Sequence, residues 1–355
     1  MNTTLDELLK KSLQYDGSDV FLIPGSPVMT KANGQMINIT DERVSPADVS
    51  ALVDRAYELA DRSRDTLLAE GDDDFSFAVK DLSRFRCNTY RQRGSLAATC
   101  RVVAFGLPDP EKRHIPDVVM RLAELRSGMV LVTGPAGNGK STTLACLVDR
   151  INQTRGGHII TIEDPIEYLH PHKKCLVSQR EVPGDASTFA RALRAALRQA
   201  PDVIMLGEMR DIETISTAIT AAETGHLLLS SLHTIGAAKT IDRVIDAFPA
   251  GQQNQIRAQL SMVLKAVVSQ RLVLTNDGEL YPIFEVMCVN PAISNLIREG
   301  KTHQIDNAIY GGGADMLPMD TELARLLREG RISAETAQMY AIHPEALERT
   351  IRFGK

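Results

Sequence analysis

Residues 134–141 read GPAGNGKS and fit the spacing G-x-x-x-x-G-K-[ST] at every fixed position. This is the chemistry of a phosphate cradle. Gly134, Gly137 and Gly139 allow backbone N–H groups to curl around an anion, while Pro135, Ala136 and Asn138 fill the variable positions. Lys140 can reach the β- and γ-phosphates of a nucleoside triphosphate, Ser141 can hold Mg²⁺, and Thr142 completes the ATP-binding stretch. The flanks suit the motif. Residues 129–133 form an apolar run of strand length, and residues 141–150 read as a helix whose N-terminus adds positive potential.

Three further stretches end in groups able to act on a bound triphosphate. Residues 202–208, DVIMLGE, carry an apolar strand to a terminal carboxylate, Glu208. Carboxyl ends of strands are where α/β sheets bind ligands. Gly207 occupies the place of the Asp that often precedes such a Glu, so Glu208 itself is assigned to polarising the attacking water, to metal contact, or to both. Residues 158–163 form a second apolar strand ending in Glu163, which could join Glu208 and Ser141 around a metal ion. His226 and His233 bracket a third apolar strand, and an imidazole can bond a γ-phosphate and register its loss. Between residues 84 and 101 lie Arg84, Arg86, Arg91, Arg93 and Arg101, interleaved with Phe85 and Tyr90. That hairpin reads as a solvated strand face, a nucleic-acid face, or a supply of arginine to a nucleotide held elsewhere.

The elements that must position these groups fall into two sets. Residues 1–105 read as a small α+β domain. A helix covers 3–15, a strand 19–23, a second helix runs from the Ser45-Pro46 start to about Leu68, and strands fill 75–103, with Asn33-Gly34 and residues 92–95 as turns. Residues 106–116 hold Gly106, Pro108, Pro110 and Pro116 among charges, a linker composition. From 117 to 355, short apolar strands at 129–133, 158–162, 203–206 and 227–232 alternate with helices, the pattern of a parallel sheet covered on both faces. A net charge of −5 argues against nucleic acid as the main partner. The first residues lack the apolar run of a signal peptide, and no apolar stretch is long enough to cross a bilayer. The five cysteines show no C-x-x-C spacing and read as scattered apolar residues.

Taken in order, the four motifs resemble the type II/type IV secretion ATPase superfamily, and within it the pilus-retraction ATPases of twitching motility. The strings TIEDPIEY, LRAALRQAPDVIMLGEMRD, TISTAITAAETGHLLLSSLHT and NLIREGKTHQI carry the resemblance, which extends over nearly the whole chain. It implies an α/β fold: a PAS-like N-terminal domain and a RecA-like ATPase core. It also implies a homo-hexamer, a cytoplasmic location at the inner face of the membrane beside the pilus platform, and Arg86, Arg91 and Arg93 as candidates to approach the phosphates. The chain lacks the four-cysteine insert and long N-terminal region of the assembly ATPases, which favours retraction over extension. A secretion ATPase of a related system and a RecA-like nucleic-acid translocase are the alternatives. Ala200 stands where the family often has Asp, and Ser294 where the retraction motif often has Arg.

Overall fold

The computed structural model describes residues 3–103 and 106–353. Residues 104–105, where the first expected domain closes, lie outside the described residues. The chain divides into two compact units, one formed by residues up to Gly106 together with 165–169, the other by the rest.

The first unit holds helices α1 (Leu5–Gln14), α2 (Pro46–Leu59) and α3 (Asp65–Glu70) and strands β1 (Asp19–Leu22), β2 (Pro27–Ala32), β3 (Gln35–Arg43), β4 (Asp72–Val79), β5 (Ser83–Gln92) and β6 (Ser95–Val103). The strands form one antiparallel sheet in the order β3-β2-β1-β6-β5-β4. Helix α1 turns Leu5, Leu8 and Leu9 inward, and Thr4 and Glu7 close a capping box at its start. Asn33 and Gly34 both take positive φ, as the tight hairpin expected there requires. The single helix expected over 45–68 is in fact two. Asp61 turns left-handed, Arg62 swings onto the buried Asp73 carboxylate at 2.7 Å, and Arg64 donates to Ser50 O. Burying Asp73 without a cation would be costly, and that outweighs continued helical periodicity.

The second unit carries α4 (Asp117–Met120), β7 (Gly128–Thr133), α5 (Lys140–Thr154), β8 (Gly157–Glu163), β9 (Cys175–Glu181), α6 (Phe189–Ala196), β10 (Val203–Leu206), α7 (Ile212–Glu223), β11 (Leu227–Leu232), α8 (Ala237–Asp246), α9 (Ala250–Val263), β12 (Leu264–Leu274) and β13 (Leu280–Cys288). Helices α10 (Pro291–Arg298), α11 (Ile305–Gly311), α12 (Met319–Arg328), α13 (Ala334–Tyr340) and α14 (Pro344–Phe353) follow. The sheet order is β13-β12-β7-β11-β10-β8-β9, parallel throughout except for the β12–β13 pair. β7, β10 and β11 are buried at every residue, because separate apolar clusters cover the two faces of the sheet. The four expected strands are β7, β8, β10 and β11; β9, β12 and β13 are additional. Residues 107–116, expected as linker, form no helix or strand but are packed: Ile115 is buried, and Pro108 O accepts from Cys146 Sγ.

Parallel pairing has one consequence for function. The C-terminal ends of β7, β8, β10 and β11 all lie on one side of the sheet, and each leads into a different motif.

Candidate functional site

The loop after β7 is shaped by what lies beneath it. Gly134, Gly137 and Gly139 all have positive φ, at 141°, 74° and 80°. A Cβ on Gly134 would fall 2.1 Å from the Gln270 carbonyl oxygen, so glycine there permits the backbone to lie directly on β12. A Cβ on Gly137 would meet nothing within 4 Å, so the crest of the loop faces open space. Asn138 bonds on both sides, donating to Ala136 O at 3.0 Å and accepting the Leu272 N–H at 2.7 Å. Helix α5 then starts from Gly139, which supplies no side-chain cap. The helices α1, α2, α6, α7 and α10 are instead capped by Thr4, Ser45, Thr188, Asp211 and Asn290. A long helix opening on glycine keeps its positive end for an anion.

Lys140 is largely buried, and its Nζ donates to Gly134 O and Pro135 O, both at 2.9 Å. The same Nζ lies 3.5 Å from His233 Nδ1, and His233 Nε2 lies 3.3 Å from Glu208 Oε2. Glu208 Oε1 meets Arg210 Nη2 at 2.7 Å. Lysine, imidazole, carboxylate and guanidinium therefore form one connected chain across the ends of β7, β11 and β10. The Glu208 side chain keeps only 12% of its exposure, and that of His233 keeps 54%. The strand ends are laced together: Ser231 Oγ donates to Gly207 O at 2.6 Å and the Gly207 N–H to Ile162 O at 2.8 Å. At the end of β10, Gly207 packs on the backbone of Glu163: a Cβ there would lie 3.4 Å from Glu163 Cα. Glu163 is buried and accepts from Thr161 Oγ1 at 2.6 Å and Gln179 Nε2 at 3.2 Å.

These donors suit a magnesium nucleotide. Ser141, Glu163 and Glu208 offer hard oxygens, and Mg²⁺ takes few protein ligands when phosphate and water supply the rest. No cluster of three or more His, Cys, Asp or Glu side chains able to hold a metal by themselves occurs among the described residues.

His226 does not join this group. It stands at the opposite end of β11 from His233, roughly 20 Å away along an extended strand. Its Nδ1 lies 3.0 Å from Ala221 O and 3.1 Å from Thr224 Oγ1, at the end of α7. Of the two histidines expected to act on a phosphate, His233 lies beside Lys140 and Glu208 and His226 does not. Arg86, Arg91 and Arg93 belong to the first unit, where Arg86 lies exposed opposite Ser76 and Arg101, and Arg93 takes φ 47° in the β5–β6 turn. At the end of α10, Asn295 Nδ2 donates to Glu299 Oε1 and Asn295 Oδ1 accepts from Arg298 Nη2, while Ser294 Oγ donates to Ser261 O at 2.6 Å. Two site residues escaped the sequence reading. Arg210 could have been found as the first cation after Glu208. Gln270 lies 130 residues beyond Lys140 in sequence, and no spacing rule points to it.

The family model described as type II/IV secretion system protein matches residues 97–350. The type IV pilus retraction ATPase PilT of Pseudomonas aeruginosa is 44% identical over 343 residues, covering 96% of this chain and 99% of that protein. A twitching motility protein of Neisseria gonorrhoeae is 44% identical over 321 residues, 90% of this chain and 85% of that protein. Among solved structures, the pilus retraction motor PilT with bound ADP superposes with a TM-score of 0.90 at 43% identity, covering 98% of this chain and 100% of that one.

Proposed function

The chain belongs to the type II/IV secretion system protein family, and from that premise we propose that it is an ATP-hydrolysing motor that retracts type IV pili. The observation that carries this reading is the connected set Lys140–His233–Glu208 at the mouth of a glycine loop, within a fold that matches an ADP-bound retraction motor.

Lys140 donates to two carbonyls of its own loop, so its ammonium is already held where entering β- and γ-phosphates would compete for it. Residues 134–142 are the ATP-binding stretch. Glu208 orients the attacking water and takes its proton, a role suited to a carboxylate held between a cation and an imidazole. His233, bonded to both Lys140 and Glu208, is the group that registers whether a γ-phosphate is present. Ser141, Glu163 and Glu208 would hold Mg²⁺, whose positive charge would offset that of the phosphates. Arg86, Arg91 and Arg93 are proposed to supply further positive charge in the transition state. The first domain is taken as PAS-like and the second as RecA-like.

The working assembly is proposed to be a homo-hexamer beside the pilus platform at the cytoplasmic face of the inner membrane. No helix of the described residues is long and apolar enough to cross a membrane. The deciding experiment is deletion of the gene in its source organism. Retraction requires excess surface pili with loss of twitching; normal piliation and normal twitching would remove the proposal.

A further inference from the structure

Four consecutive residues of β12 reach different parts of the second unit. Ser269 Oγ accepts the Gly236 N–H at 2.9 Å, in the turn that follows His233 and opens α8. Gln270 is 3% exposed and accepts from Thr143 Oγ1 on α5 at 2.7 Å. Its carbonyl lies under Gly134, and its side-chain amide lies where a Cβ of Gly139 would be, at 2.7 Å. The Leu272 N–H donates to Asn138 Oδ1. Arg271 turns to the far side of the strand, as alternation requires. There its guanidinium stacks 4.3 Å from the Tyr340 ring centroid, and its Nη1 donates to Tyr340 O at 3.0 Å.

The pairing pattern explains why this stretch matters. β12 runs beside β7 only as far as Ser269 opposite Thr133. Beyond that point β7 has become the glycine loop, and β12 continues to Leu274 with β13 as its sheet partner. The glycine loop takes the place of the missing strand and leans on residues 270–272. Tyr340 ends α13, whose Ala337 lies in one apolar cluster with Val273 of β12 and Ile283 of β13. The loop bears on β12 from one side and α13 from the other.

We infer that Arg271 and Tyr340 are positioning residues for the glycine loop, so that docking of α13 on β12 sets nucleotide affinity. The inference rests on the loop being the nucleotide site. Neither side chain belongs to the group around Lys140 and Glu208. The clasp acts by fixing residues 270–272, against which Gly134, Asn138 and Gly139 are seated. If α13 shifts, this short strand segment must carry the motion, because its two neighbours in sequence hold the loop.

The test uses the full chain, with ADP binding, ATPase and hydrogen exchange of residues 134–142 measured together. Tyr340→Leu removes the ring but keeps the backbone carbonyl, and Arg271→Gln removes the cation. Each should weaken ADP binding about five- to tenfold, the scale of a partly desolvated cation–π contact with its hydrogen bond. Turnover at saturating ATP should stay within about twofold, because uniform binding is lost rather than transition-state contact. Exchange at 134–142 should quicken in both variants, and Tyr340→Phe should restore wild-type behaviour. Unchanged ADP affinity and unchanged exchange in both variants overturn the inference, even if their melting temperatures fall. Lys140→Ala separates the two levels: loss of ADP binding there keeps the nucleotide site standing, and retained binding removes it together with this inference.

Discussion

His233 and His226 stand at the two ends of the same buried strand, and their surroundings share almost nothing. At the C-terminal end of the sheet, His233 lies within reach of Lys140 and Glu208, and it remains half exposed. At the N-terminal end, polar groups close on one another. His226 sits against Ala221 O and Thr224, the Asp202 carboxylate takes the His158 N–H at 2.7 Å, and the His158 ring bridges Gln199 O and Ser178 Oγ, both at 2.9 Å. Even Gly157 is there for space, since a Cβ would fall 2.6 Å from Asp202 Oδ2. One end has its hydrogen bonds spent on strand entry; the other holds charges in a loop open at Gly137. Parallel strands send all their carboxyl ends to one side, so chemistry gathers there and connections are secured on the other.

The largest effect should come from the open end. Lys140→Ala removes the ammonium that meets the phosphates, and nucleotide binding and hydrolysis should both collapse. Near-normal ATPase in the purified variant would break the contrast at its strongest point. Glu208→Ala should keep ATP bound while turnover falls by roughly a hundredfold or more. Lost binding with normal turnover per bound ATP would give Glu208 a different role.

The two histidines then test the contrast directly. His233→Ala should lower turnover by about tenfold or more, as expected for loss of a positioned group between base and lysine. His226→Ala should leave turnover within about twofold and cost about 1 kcal/mol of stability, the net worth of a hydrogen bond at a helix end. Equal catalytic losses in the two variants would mean that strand polarity does not separate their roles.

Much of the open end was legible in the sequence because its groups follow the strands that carry them. GPAGNGKS, the glutamate after DVIML and the histidine after LLLSSL each sit one or two residues past an apolar run, and a parallel sheet collects such positions. The run alone does not say which end of a strand faces the ligand, which is why His226 and His233 looked equivalent. Gln270 was hidden for another reason. It interrupts the apolar pattern of 264–274 with Ser269 and Arg271 beside it, and its value lies in a register with β7 that no local spacing reveals. The break between α2 and α3 was hidden likewise, since Arg62 answers a buried carboxylate in the next strand.

The smallest predicted effect lies at the closed end, at Ala200. This exposed residue precedes Pro201 and the start of β10, and its φ is +52°. An alanine there costs about 1 kcal/mol, because the left-handed region crowds Cβ against the following carbonyl. Three replacements separate the contributions. Glycine removes the strain but widens the unfolded ensemble, which returns much of the gain. Aspartate tolerates the conformation but sets a negative charge just beyond the end of α6, where the helix dipole opposes it. Asparagine tolerates the same φ without the charge. Ala200→Asn should therefore stabilise the most, by about 0.5 kcal/mol, which corresponds to about 1–2 °C for a unit of this size. Ala200→Asp and Ala200→Gly should fall between it and the wild type, with ATPase unchanged in all three. A melting temperature for Ala200→Asn at or below wild type would show that the backbone relaxes elsewhere. An ATPase change in any of the three would show that the closed end reaches the chemistry, against the separation of the two sheet ends drawn from the histidines.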